Sequence, residues 1–334
     1  MGMIRTVVLL ALAVAPGFAG DWNPRLAAEY MDARQKDWFA WPRANQNATP
    51  CVSCHTNLTY LLARPVLRKA LGESAPTQYE TGLLDMLKSR VAGADAKTLY
   101  PKAKEPLATQ EVSVEAIFAA LFLTDSQEAL DRLWRLQRRD GTWDWNSANL
   151  DPWEMPESEY YGAAVAALAA SREKGDKFAA NRASLQKYIR DGLDHQPMQN
   201  KLMALWASSE VKDLLPKSAK ASIAAEAYRT QQPDGGWTAA SLGPFRDHPD
   251  APVSTGSNAY ATAFTAFALE RAGMARSDER LERALAWLRA HQNPQTGAWE
   301  AVSMNRKYPA DSMEIRFMQD AATGYAVMAL LDSK

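Results

Sequence analysis

Three loops of this chain carry the same spacing of glutamine, glycine and tryptophan, and that repeat restricts the fold more than any other feature. They are LWRLQRRDGTWDW at 133–145, AYRTQQPDGGWTA at 227–239 and LRAHQNPQTGAWEA at 288–301. The shared residues are Gln137, Gly141 and Trp143; Gln231, Gly235 and Trp237; and Gln292, Gly297 and Trp299, the last with one extra residue in its gap. Each loop ends a helical stretch. Glycine allows the left-handed turn that closes a helix. The glutamine is suited to satisfying backbone groups near that end, and the tryptophan to pinning the loop against neighbouring helices. These tryptophans are read as structural.

The helical stretches are of two kinds. ERLERALAWLRAH (279–291) is amphipathic, with Leu281, Ala284, Leu285 and Leu288 on one face. SQEALDRLWRLQ (126–137) is similar, and Asp125 with Glu128 reads as its capping box. By contrast VEAIFAALFL (114–123), EYYGAAVAALAA (159–170), NAYATAFTAFAL (258–269) and DAATGYAVMALL (320–331) are apolar nearly all round, as helices buried on every side are. The alternation predicts an all-α fold with inner helices wrapped by outer ones. Inner helices are expected to start near residues 57, 112, 158, 198, 257 and 320. Outer helices are expected near 25–40, 78–92, 126–138, 177–192, 216–231 and 279–291, with the first closing the ring beside the last inner helix. No period-two strand pattern of any length is present.

Gln-x3-Gly-x-Trp loops with Ala-rich inner helices resemble the α/α toroid of squalene–hopene cyclases and protein prenyltransferases. The resemblance covers about residues 56 to 334 and is weak over 72–110 and 172–226, where Gly and Trp are missing. It implies a single (α/α)6 toroid over 57–334. The catalytic motifs of those families do not carry over. No Asp-x-Asp-Asp run exists, and no cysteine is free to join a zinc site. The fold therefore comes without the chemistry.

The chain contains two cysteines, and both lie in NATPCVSCHTNLTY (47–60), as Cys51 and Cys54 with His55 directly behind. Cys-x-x-Cys-His is the attachment sequence of c-type haem. The thiols form thioethers with the porphyrin, and the histidine becomes the proximal iron ligand. A thioredoxin-like redox pair needs a βαβ context that the flanks do not supply. A zinc site needs four ligands, and His195, His248 and His291 are scattered. Residues 20–56 thus read as an N-terminal helix and haem c segment, with Trp38, Phe39 and Trp41 available to wall the porphyrin. The helix after the motif contains Pro65, which predicts a kink or break.

The expected sixth ligand is Met318, just before the last inner helix, which a closed ring puts beside the first. Met313, Met155 and His248 are alternatives at the same mouth, and the position is also compatible with being open. Trp153, Glu154, Glu157, Tyr160, Tyr260 and Asp320 also sit at inner-helix starts, where acids favour the helix dipole.

Residues 1–19 read as a secretory signal: Arg5, an apolar run from Val7 to Ala15, then Gly17 and Ala19 at the cleavage positions. Export predicts a periplasmic location and agrees with haem c attachment. The net charge of −1 argues against a nucleic-acid partner. No downstream run is long and apolar enough to span a membrane. The expected function is electron transfer through one covalent haem c to a redox partner protein. The alternatives are a haem oxidoreductase acting on an apolar, isoprenoid-like molecule in the toroid, and a haem-based sensor.

Overall fold

The computed structural model describes residues 22–44, 51–92, 100, 105–173, 175–245, 248–252 and 254–331. The signal segment 1–19 and the start of the quoted haem stretch, 47–50, lie outside the described residues. The fold is α-helical. The helices are α1 (Pro24–Ala40), α2 (Asn57–Leu71), α3 (Gln78–Ala92), α4 (Leu107–Phe122), α5 (Gln127–Arg135) and α6 (Ser158–Ala170). After them come α7 (Ala179–Gly192), α8 (Met198–Glu210), α9 (Lys217–Arg229), α10 (Ala259–Arg271), α11 (Glu279–Ala290) and α12 (Phe317–Leu330). The described residues contain no strand, only the isolated bridges Leu150↔Glu154 and Gln292↔Trp299.

Local chemistry sets the ends. Asn23 caps α1 by accepting from the backbone N–H of Arg25 and Leu26, with Pro24 in the first turn. Ser126, rather than Asp125, caps α5, accepting from Ala129 N–H. Pro65 lies inside α2 without ending it, because Leu61, Ala63 and Leu67 on either side are buried. α4 begins five residues before the expected start, directly after Pro106. α12 begins at Phe317, so Met318 belongs to its first turn.

The apolar helices α2, α4, α6, α8, α10 and α12 form the interior. α12 packs on α2 and α10, α10 on α8, α8 on α6, and α6 on α4. α3 packs on both α4 and α2. Outside these, α5, α7 and α9 lie on α4, α6 and α8, α11 lies on α10 and α12, and α1 lies on α2 and α12. The small residues work as spacers. A side chain on Gly324 would meet Thr59 Cβ at 2.6 Å, so α12 approaches α2 closely only because that position is glycine. Between the inner helices Tyr161, Tyr260, Phe264 and Tyr325 are at most 1% exposed, and they fill the centre.

The three repeats fold alike. Each glutamine Nε2 donates twice: once to its own loop glycine and once to the next outer helix. Gln137 reaches the carbonyls of Gly141 (3.0 Å) and Asn181 (3.1 Å). Gln231 reaches Gly235 (2.8 Å) and Arg280 (2.7 Å). Gln292 reaches Gly297 (2.8 Å) and Asn23 (2.9 Å). The third repeat thus treats α1 as the helix that follows α11. Each tryptophan Nε1 donates to a carbonyl near the end of the preceding outer helix: Leu133, Ala227 and Leu288. Each of those carbonyls also accepts a backbone N–H in the last turn, from Leu136, Thr230 and His291, so the indole takes its remaining lone pair.

Gly235 has φ +95°, and a Cβ there would sit 2.7 Å from the Arg283 carbonyl oxygen. Gly273 has φ +94° with nothing within 4 Å of its Cβ position. Gly273→Ala should therefore cost only the backbone strain, about 1 kcal/mol. Gly235→Ala should cost clearly more, because a loop must also shift. Urea denaturation of the two variants checks the order.

Candidate functional site

The Cys51–His55 segment is held by side chains of α1 and α2. Trp38 Nε1 donates to the Cys51 carbonyl at 2.9 Å. Ser53 N–H donates to Asn57 Oδ1 at 2.8 Å, and Asn57 Nδ2 donates to Gln35 Oε1 at 2.7 Å. The His55 carbonyl accepts from Thr59 Oγ1 at 2.8 Å. The segment leads straight into α2, so these bonds fix where its two thiols and imidazole sit.

His55 is locked on one edge and on one face. Its ring stacks on Phe317, centroids 3.7 Å apart and planes 19° from parallel. Its Nδ1 lies 2.9 Å from Thr56 Oγ1. That hydroxyl has one hydrogen, and it donates it to Asp320 Oδ2 at 2.7 Å. Thr56 must therefore accept from His55, which puts the imidazole proton on Nδ1 and leaves Nε2 as the bare nitrogen. Asp320 is anchored in turn by Tyr30 Oη (2.6 Å) and by Arg34 Nε (2.8 Å) and Nη2 (3.0 Å). Burial, with the Arg34 charge behind it, pushes the His55 pKa down to about 3. The imidazole is neutral at any working pH, the state a metal requires.

Both thiols share this setting. Cys51 is half-buried and Cys54 is buried; neither is in a disulfide. Burial raises both thiol pKa values, helped by Glu111 at Cys51 and by Glu154 and Glu111 at Cys54. They are kept as thiols, not thiolates. Cys51, Cys54, His55 and Met318 line one cavity of about 320 Å³. Trp38, Trp41, Trp153 and Phe317 give it an aromatic wall. Phe39 packs against Tyr79 instead, at 5.9 Å.

The other expected residues separate. Met313 packs with Trp38 and Ala44, and its carbonyl accepts from Arg34. Met155 and Glu157 line a different cavity with Asp194 and His195. His248 Nε2 is 2.6 Å from Asp151 Oδ2. Tyr160 donates to the Ile189 carbonyl at 2.6 Å. Tyr260 lies in the core, edge-on to Trp153 at 5.3 Å. Trp153 and Glu154 do line the cavity beside the cysteines, and Asp320 serves as the buried anchor described above.

Four participants were missed by sequence reasoning: Arg34, Thr56, Glu111 and Asn146. Glu111 at the start of α4 and Glu115 within it interrupt an otherwise apolar helix, and that interruption was the available signal. Glu115 pairs with Arg90 at 3.2 Å, both nearly fully buried. Glu111, which lines the cavity, accepts from Asn146 Nδ2 at 3.3 Å. Burial, then the charges of Glu115 and Glu154, pushes its pKa up to about 8. Burial alone pushes Glu154 up to about 7. Among the described residues no three His, Cys, Asp or Glu side chains form a group able to hold a metal ion. The chain matches no protein-family model and no curated protein.

Sign and window follow from these shifts. Glu111 and Glu154 bind protons in the folded state that the unfolded chain releases near pH 4.3. Their contribution is full below that pH and is lost as pH rises through about 7 and 8. His55 acts oppositely, and its contribution is lost as pH falls from about 6.5 towards 3. Glu111→Gln should leave stability near pH 5 almost unchanged and raise it at pH 9 by on the order of 2 kcal/mol. Urea melts at the two pH values measure this.

Proposed function

We propose that this chain is an exported c-type haem protein, with haem c attached through Cys51 and Cys54 and His55 as proximal iron ligand. The observation that carries the reading is the proton order in the His55–Thr56–Asp320 chain. It leaves Nε2 bare on a neutral, immobilised imidazole that shares a cavity with two protonated thiols. Metal-bound histidines are oriented in this way by a hydrogen bond to their other nitrogen, which also raises their basicity. The residues present fit the group. A bound haem supplies a one-electron iron couple. The protein's own residues fix the imidazole edge, keep the thiols reduced and protonated, and offer aromatic surface to a planar ring.

Electron transfer with a redox partner protein is the main reading. The order of helix neighbours, with six outer and six inner helices among the described residues and α1 following α11, supports an (α/α)6 toroid as its scaffold. A periplasmic location belongs to the same proposal, through residues 1–19. A haem-dependent oxidoreductase is the second reading, favoured by a cavity beside the cysteines that has acids on one wall. In it the substrate sits at the haem, because aromatic side chains fill the centre between the inner helices. Met318 remains the proposed sixth ligand. It is 3% exposed and lines the cavity.

Expression with a cytochrome c maturation system tests the proposal. Covalent haem should survive denaturing electrophoresis and disappear in the Cys51→Ala/Cys54→Ala variant. A chain that stays haem-free sinks it. Thr56→Val should keep the haem but raise its midpoint potential, because a less basic imidazole stabilises ferric iron less. Met318→Ala should turn the reduced spectrum high-spin and allow CO binding. An unchanged spectrum removes Met318 and leaves the rest.

A further inference from the structure

The charges that line the cavity are sorted. At the cysteines they are acidic. Cys51 feels Glu111 and Glu115 most, and Cys54 feels Glu154 and Glu111. Glu111 and Glu154 both line the cavity, and among the described residues neither forms an ion pair. At Tyr308, which lines the same cavity, the charges include two bases. Arg306 and Arg43 act on that ring against Glu314 and Glu154.

The two arginines are engaged differently. Arg43 pairs with Glu314 and lies over Trp41, 5.1 Å from the ring centre. Arg306 has its guanidinium 5.7 Å from the centre of the Tyr308 ring and no carboxylate partner among the described residues. Its backbone is nevertheless held on both sides. Asn305 Oδ1 accepts from the Asp151 N–H at 2.8 Å, and Asn305 Nδ2 donates to the Asp151 carbonyl at 2.9 Å. The Lys307 N–H donates to the Asp250 carbonyl at 2.8 Å. A planar cation with five donors is thus presented at the cavity on a fixed loop.

Porphyrin chemistry matches this division. In a haem the two vinyl groups and the two propionates stand on opposite edges of the ring. Thioethers to Cys51 and Cys54 use the vinyl edge, so the propionates point away from the cysteines. Both propionates are carboxylates at neutral pH. Glu111 and Glu154 would repel them at the cysteine end. A guanidinium suits them, because its fork matches a carboxylate in geometry and in charge.

We infer that Arg306 binds a haem propionate, and that Arg43, already shared with Glu314, only adds to the positive field there. The inference rests on the haem reading and deepens it. It fixes which edge of the porphyrin faces the loop of Asn305, Arg306 and Tyr308, and it gives the cofactor a protein partner outside the attachment motif.

Titration of the haem-free full chain with ferric haem and with haem dimethyl ester, followed at the Soret band, tests this. Esterification removes both charges and leaves the ring and the iron unchanged. Haem should bind at least ten-fold more tightly than the ester. Arg306→Ala should weaken haem about ten-fold, the scale of one charge-assisted hydrogen bond, and leave the ester unchanged. Arg306 is exposed, so its removal does not threaten folding. Arg306→Lys should recover part of the loss, since it keeps the charge without the fork. Lys307→Ala removes the same charge one residue away, from a side chain that does not line the cavity, and should alter neither affinity. Equal affinity for haem and ester overturns the inference. So does equal weakening of both ligands by Arg306→Ala, or an effect of Lys307→Ala as large as that of Arg306→Ala. A chain that takes up covalent haem on maturation yet does not distinguish haem from its ester sinks only this inference. One that binds haem through Arg306 but never attaches it sinks only the attachment. One that does neither sinks both.

Discussion

The buried pair of Arg34 and Asp320 joins more of this structure than any other contact. Both side chains are almost fully excluded from water, at 4% and 3% exposure. An ion pair in that position is worth its desolvation only when every remaining donor and lone pair is used. Here they are. Arg34 reaches Asp37, the Met313 carbonyl and both Asp320 oxygens. Asp320 also takes protons from Tyr30 and Thr56. The pair fastens α1 to α12, and through Thr56 it sets the tautomer of His55. The contact between α1 and α12 and the site's proton order thus share one carboxylate. Removing either partner leaves a buried charge, which typically costs 3–5 kcal/mol.

The repeats and the site divide the work. The Gln–Gly–Trp loops satisfy helix ends and bring each outer helix to its neighbour, without touching the cavity. The cavity is built beside those loops, from the segment before α2, the first turns of α4 and α12, and the stretches that follow the first and third repeats on the way to α6 and α12. Such connections tolerate the cost of carrying polar groups because a packed scaffold holds them. The uncompensated acids fit this division. They sit at the edge of the scaffold, where their cost in stability does not threaten the core.

Much of this was legible in the sequence. Periodicity placed the helices, because an all-round apolar run has one physical solution, burial on every side. The loop spacing gave the fold class, because glycine with φ > 0 and a buried indole have strict requirements. Cys51, Cys54 and His55 stood out by their spacing, and Met318 by its place at the start of the last inner helix. Less was legible where the partners are far apart in the chain. Arg34 carried no signal and Asp320 read as an acid at a helix start, and only contact between residues 286 apart makes them one unit. Thr56 looked like filler after a motif. Its role is visible only once its single hydrogen is assigned. Asp125 resembled a cap, yet Ser126 had the geometry.

One consequence of the third repeat concerns time rather than space. Gln292 exchanges hydrogen bonds with Asn23, 269 residues away, and Trp22 lies 5.7 Å from Trp299. The helix α1 is thus completed by a loop made long after it. Until that loop arrives, α1 lacks the partner of its own N-terminus, and the apolar side that meets α12 is uncovered. The contact joins an early and a late part of the chain, so it forms only after the helices between them have been made.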